Sequence, residues 1–192
     1  MTSRGVGPLY RACRLGQLDI ARGLHSAGAS LDAINDVEDT PLHLACSEGY
    51  IDVARWLHSA GASLDARDTL GSTPLHVACS AGHLEVAQWL HSAGASLDAT
   101  DNEGQAPLHS ACSWGALSWG RGRLLDVAHW LCSAGADASL KSNDGSTPTK
   151  LLQRSNRSYP VDKLLIRSTL ACLVQRAQGS LLCTTVPCTW AC

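Results

Sequence analysis

Thr73-Pro74-Leu75-His76 is the stretch that decides the fold, because closely similar stretches lie at equal distances on either side of it. Thr40-Pro41-Leu42-His43 precedes it and Ala106-Pro107-Leu108-His109 follows it, at the same spacing. An Ala-Cys pair follows each stretch in the same phase, at Ala45-Cys46, Ala78-Cys79 and Ala111-Cys112. Self-similarity at a fixed period of about 33 residues indicates a chain built from stacked repeat units.

The period extends towards both ends of the chain. Pro8 lies one period before Pro41, which predicts a first unit at the N-terminus. Thr147-Pro148 begins a last unit, but later than one period after Ala106, so a segment at about 116–123 is inserted between the two helices of the fourth unit. The predicted repeat domain covers residues 2–178, with units at about 2–34, 35–67, 68–100 and 101–141 and a degenerate cap at 142–178.

The local chemistry of each unit predicts a helical hairpin. Thr40 is suited to the N-cap, where its hydroxyl accepts a backbone N–H that the first turn leaves free. Pro41 follows at the first helical position, and Gly49 predicts the end of this short helix. A second helix then carries an apolar face and ends before Gly61. The residues of that face are Val53, Trp56 and Leu57.

These motifs resemble the ankyrin repeat, whose pattern is also matched by Gly82-His83-Leu84-Glu85-Val86-Ala87 and Ala93-Gly94-Ala95. The resemblance covers about residues 2–154 and extends more loosely to 178. It implies an all-α repeat solenoid of stacked helix-turn-helix units with short β-hairpin-like loops, and a protein that binds other proteins. It also implies that His43, His76 and His109 tie each loop to its neighbour.

Several side chains of the second helices have a predicted place. Trp56, Trp89 and Trp130 occupy one repeat position, and we expect them in the core between successive second helices; an exposed aromatic ladder is the alternative. The edge formed by one further position is expected to be polar and exposed. Its residues are His25, His58, His91 and Cys132. His83 and His129 are predicted to lie at surface positions of helices.

The cysteines predict a reducing environment. Cys13, Cys46, Cys79 and Cys112 share one phase on first helices, and packed helices about 8–10 Å apart hold such positions too far apart for disulfides. Residues 179–192 differ from the repeats and are expected to be a poorly ordered tail with three cysteines. We expect no metal and no cofactor. The alternative function is a redox-responsive or metal-binding regulator acting through Cys183, Cys188 and Cys192.

Composition argues against other classes of function. The net charge of -2 and pI near 6.4 offer no basic face for nucleic acid. No apolar run approaches the roughly 20 residues that span a bilayer, and no secretory signal opens the chain. No catalytic motif is present, and a residue repeated in every unit indicates architecture rather than an active site. We therefore predict a non-catalytic protein of the cytoplasm or nucleus.

Candidate contact residues are those that differ between units at equivalent positions of the loop tips and first helices. They are Val37, Asp39, Glu48, Leu70, Ser72, Ala81, Glu103, Gln105, Trp114 and Asp144. Leu70 and Trp114 are the strongest candidate anchors. Trp119 in the insertion is a further candidate, with a tolerated loop as the alternative. Because the tips are acidic, the expected protein partner has a basic or mixed face; the alternative is that the acidic tips only maintain solubility.

Overall fold

Ten helices follow one another in the part of the chain that the computed structural model describes, which is residues 7–113, 121–158 and 163–178. Within these residues there is no β-strand. The helices are α1 Pro8–Arg14, α2 Leu18–Ser26, α3 Pro41–Glu48, α4 Ile51–Ser59, α5 Pro74–Ala81, α6 Leu84–Ser92, α7 Pro107–Cys112, α8 Arg121–Ala134, α9 Pro148–Ser158 and α10 Lys163–Ala177.

The first helix of each unit begins at its proline, as predicted. The Oγ1 atom of Thr40 accepts a hydrogen bond from the backbone N–H of His43 at 3.4 Å, which confirms the predicted N-cap of α3. Gly49 ends α3 with a φ of 80°, in the left-handed region that glycine adopts without strain. The same signals mark both ends of α5, which begins at Pro74 and ends at Ala81, before Gly82.

The helices pack in two layers. Each odd-numbered helix contacts the next odd-numbered helix, and the even-numbered helices α2, α4, α6, α8 and α10 form the second layer. The leucines between the layers are fully buried and belong to one continuous core. They include Leu42, Leu75, Leu108, Leu57, Leu90 and Leu131. Because each unit covers the apolar side of its neighbour, stability comes from stacking, and the predicted all-α repeat solenoid is confirmed.

The three tryptophans lie at the outer margin of the core rather than inside it. Trp56, Trp89 and Trp130 are half-buried, and each ring meets a histidine of the preceding unit edge-on, with ring centroids 5.9–6.0 Å apart. The expectation of a core position was therefore wrong in part. The indole remains partly exposed because the preceding unit offers a histidine there instead of an aliphatic side chain.

Of the four residues predicted to form a polar, exposed edge, two are exposed, one is half-buried and one is fully buried. His58 and His91 are exposed and His25 is half-buried, but Cys132 is fully buried. A hydrogen bond joins its thiol to the side chain of Cys172 in α10. The last helix covers this position in the fourth unit, so a small apolar residue replaces the histidine.

His83 is not the surface residue that was predicted. It is the N-cap residue of α6, and its Nε2 donates to the carbonyl oxygen of Ser47 in the preceding unit at 2.9 Å. The ring also fills the space above Gly49, where an added Cβ would lie 2.5 Å from Nδ1. His83 thus joins the turns of two units.

The inserted residues of the fourth unit are partly helical. α8 has 14 residues where α4 and α6 have nine each, and it begins at Arg121, inside the segment predicted as a loop. Residues 114–120 and the predicted tail at 179–192 lie outside the described residues. The second helix of the last unit, α10, begins at Lys163.

Among the described residues, no helix combines the length and the apolar character that crossing a membrane requires.

Gly71→Ala is expected to lower the free energy of unfolding by about 2 kcal/mol, because two effects add. Gly71 has a φ of +77°, and an added Cβ would lie 2.9 Å from the backbone nitrogen of Asn102 in the next loop. Gly23→Ala is the matched control, since Gly23 lies within α2 with nothing within 4 Å of an added Cβ. It should stabilise the protein by about 0.5–1 kcal/mol. Urea denaturation of both variants checks this, and equal effects would contradict it.

Candidate functional site

The loop tips are the turns between successive units, such as residues 68–73 and 101–106. One side chain holds each of these two tips in shape. In the third unit, Oδ1 of Asp68 accepts hydrogen bonds from the backbone N–H groups of Leu70 and Ser72, both at 2.8 Å. Asp101 does the same for Glu103 and Gln105, at 2.9 and 2.8 Å. This local hydrogen bonding fixes the direction in which the neighbouring tip side chains project.

Backbone hydrogen bonds join each tip to the next. The N–H of Thr69 donates to the carbonyl of Val37 at 3.1 Å, and the N–H of Asn102 donates to that of Leu70 at 2.9 Å. Asn143 continues the series with Glu103 at 2.8 Å. The tips therefore form a connected row, so the side chains they carry keep fixed spacings along the solenoid.

The repeated histidines of the first helices bind this row of tips through hydrogen bonds. Nδ1 of His76 accepts hydrogen bonds from the backbone N–H and the hydroxyl of Thr73, at 3.1 and 2.9 Å. Its Nε2 donates to the carbonyl oxygen of Gln105 at 3.0 Å, in the next tip. His43 and His109 make the equivalent bonds to Ser72 and Ser146, at 3.1 and 3.3 Å. The implied role of these histidines is thus present in three successive units.

Burial decides the charge of these histidines. Loss of hydration lowers the pKa of His43, His76 and His109 below the ordinary value of 6.5. The bonding pattern agrees, because a ring nitrogen that accepts a hydrogen bond carries no proton. All three are neutral in the folded protein and serve the architecture.

A concave groove of about 350 Å³ lies between the third and fourth units. It brings together four of the predicted contact residues. They are Leu70, Ser72, Glu103 and Gln105. Its lining also includes Val77 and Ser80 of α5. Val77 was not predicted as a contact residue, although its position also differs between units, with Leu44 and Ser110 as its equivalents.

Leu70 is the most exposed large apolar residue in the described part of the chain. The residue keeps 65% of its surface accessible, more than Leu15 at 54% or Ile20 at 52%. The tip on which it stands is fixed on both sides, by Asp68 and by Asn102. A rigidly held apolar side chain of this kind loses little conformational freedom on binding.

The other predicted contact residues do not line this groove. Val37 is exposed at a neighbouring tip, whereas Asp39 accepts a hydrogen bond from the amide of Asn35 at 3.1 Å. Glu48 is exposed and Ala81 is half-buried. Trp114 and Trp119 lie outside the described residues.

Asp144 is committed to its own tip. Its carboxylate accepts hydrogen bonds from the hydroxyl of Ser142 and from the N–H and hydroxyl of Ser146, which lower its pKa to about 2. Ser142 stands where Asp68 and Asp101 stand in other units, so Asp144 replaces their stabilising role. Its carboxylate is less available to a partner than sequence alone suggests.

The described residues offer little reactive chemistry. Burial raises the pKa of the Cys13 and Cys112 thiols to about 12, and it also raises those of Cys46 and Cys79. In the described segments, no three His, Cys, Asp or Glu side chains are grouped so as to hold a metal ion. The tail cysteines invoked by the alternative function, Cys183, Cys188 and Cys192, lie outside these segments.

A comparison with protein families identifies the repeats. The model described as "Ankyrin repeats (many copies)" matches residues 9–58, 42–91 and 75–131. These overlapping segments together cover more than half of the chain, and they include both walls of the groove at Leu70 and Glu103. No curated protein matches the chain.

Proposed function

Because the chain belongs to the ankyrin repeat family, we propose that it is a non-catalytic module that binds another protein in the concave groove of its loop tips and first helices. The family supports protein binding in general. The groove, the residues and the partner are the specific parts of this proposal. We also assign the module to the cytoplasm or nucleus, since no disulfide joins the six cysteines that the structure describes.

The observation that carries the proposal is the exposure of Leu70 on a fixed tip beside the groove. Singly exposed aliphatic residues are common on protein surfaces, but Leu70 is also held on a fixed tip at the edge of a groove, where a partner that covers it gains the free energy of burying apolar surface. Ser72 and Gln105 stand beside it as half-buried polar groups. This arrangement of a central apolar anchor within a polar surround is typical of protein interfaces.

The remaining predicted contact residues extend the proposed surface along the row of tips and first helices. Val37 and Glu48 add exposed side chains on the N-terminal side of the groove. Asp39, Ala81 and Asp144 lie along the same row and contribute less, because they are half-buried or bonded within their own tips. Trp114 and Trp119 are proposed from sequence alone.

Leu70→Ala is expected to weaken partner binding about tenfold or more, because truncating a central apolar anchor loses the apolar surface that it buries against the partner. The full-length chain is used to capture proteins from an extract of cells that express it, and each captured protein is identified by mass spectrometry. Its affinity is then measured with the wild-type chain, with Leu70→Ala and with Ile20→Ala.

Ile20→Ala is the matched control, since Ile20 is a similarly exposed aliphatic residue on α2, outside the groove. It should bind as the wild-type chain does. Equal affinity of Leu70→Ala and Ile20→Ala for every captured protein would place the binding surface elsewhere and defeat the proposed groove.

A further inference from the structure

The groove beside Leu70 carries fixed charge of one sign. Its described lining includes the carboxylates of Asp68, Asp101 and Glu103, and none of these described lining residues is Lys or Arg. Arg67 does not line the groove, and the carbonyls of Gly71 and Thr100 hold its guanidinium at 2.8 and 2.7 Å. Its positive charge still acts on His76, but the described lining itself contains three carboxylates and no Lys or Arg.

Apolar surface adjoins these carboxylates. Leu70 projects from the tip, and the half-buried Val77 lies on α5 within the same groove. A partner that matched only the charge would leave this apolar surface in water. A partner that matched only the apolar surface would bury carboxylates without a counter-charge, which is costly.

Glu103 is the carboxylate best placed to meet a partner. It is exposed, and one of its carboxylate oxygens accepts a hydrogen bond from the side-chain amide N–H of Gln105 at 2.6 Å. Asp68 and Asp101 use one oxygen each to hold their own tips. Pairing Glu103 with an external cation would therefore leave the shape of the tip intact.

We propose that the groove takes a segment of another protein in which a Lys or Arg side chain neighbours an apolar side chain. The apolar group covers Leu70 and Val77, and the cation meets Glu103, with Asp68 and Asp101 strengthening the local field. This assignment of the partner's chemistry rests on the proposed function of the groove. Complementary charge of this kind selects partners and speeds their encounter.

The test uses a display library of random dodecapeptides as the probe, selected on the wild-type full-length chain. Peptides whose binding is weakened by Leu70→Ala are taken as groove ligands. The expected result is that these peptides are enriched in Lys or Arg within two positions of Leu, Ile or Phe. Their binding, followed by fluorescence anisotropy, should weaken as the salt concentration rises.

Charge variants test the role of Glu103 itself. Glu103→Gln should weaken the binding of the groove peptides about two- to fivefold, which is the size expected for the loss of one exposed ion pair. Glu85→Gln is the matched control, because Glu85 is an exposed glutamate on α6 that does not line this groove. It should leave the affinity unchanged.

The outcomes separate this inference from the proposed function. If groove peptides are found but carry no excess of basic residues, or bind equally to Glu103→Gln, the proposed partner chemistry is wrong and the groove remains. If no selected peptide depends on Leu70, both the groove and its partner chemistry are overturned.

Discussion

His76→Ala is expected to lower the free energy of unfolding by about 3 to 5 kcal/mol. The side chain is 2% exposed, so its removal leaves a cavity between the third and fourth units. It also leaves the N–H of Thr73 and the carbonyl of Gln105 without their present partner. Each buried polar group that loses its hydrogen bond costs about 1–3 kcal/mol, and the lost packing adds to this.

His58→Ala is the control for this large effect. His58 is exposed on α4 and meets the ring of Trp89 edge-on, so its loss should cost less than about 1 kcal/mol. Urea denaturation followed by circular dichroism gives both values under the same conditions. Similar losses for the two variants would show that the histidines do not connect the units in the way described.

Acid is expected to destabilise the protein in a pH window just below 6.5. His43, His76 and His109 have folded-state pKa values below the ordinary 6.5, because burial opposes their charge. As the pH falls through 6.5, the unfolded chain binds protons that the folded protein does not, so stability decreases. Each such group contributes at most about 1.4 kcal/mol per pH unit, so the three together give a slope of at most about 4 kcal/mol per unit, which is approached only when the unfolded histidines are fully protonated.

The slope has a specific control within the same protein. His76→Ala should remove about one third of the slope measured between pH 6.5 and 5.5, beyond its loss of stability at neutral pH. Asp144 contributes in a separate window below its ordinary pKa of 3.8, since its folded-state pKa is lowered to about 2. A stability that stays constant between pH 7.5 and 5.5 would contradict the description of the three histidines as buried and neutral.

The fold was predictable because its signals are local and repeated. The threonine–proline starts, the glycine ends and the apolar faces recur in phase, so each unit supports the interpretation of the next. Side chains whose surroundings come from a neighbouring unit were harder to place. The position of His83 in its own unit predicts a surface residue, but its ring donates a hydrogen bond to the carbonyl of Ser47 in the preceding unit. Cys132 is buried because α10 covers it.

The candidate site was predictable as a row of tips but not as a groove. Differences between equivalent positions identified Leu70 and Glu103 directly from the sequence. Val77 was not predicted as a contact residue, because its neighbours Leu75, Ala78 and Cys79 are buried and nothing local indicates that Val77 itself is only half-buried. The hydrogen bonds of Asp144 within its own tip were not predictable from its position either. They compensate for Ser142, which occupies a position where other units have aspartate or asparagine.

Hydrogen–deuterium exchange of the full-length chain, with and without its captured partner, shows which surface of the protein the partner covers. Binding in the groove should protect the tips at residues 68–73 and 101–106 and the adjoining helices α5 and α7, with little change in α4 and α6. Protection confined to the outer second helices would contradict the claim that this protein binds its partner in the concave groove.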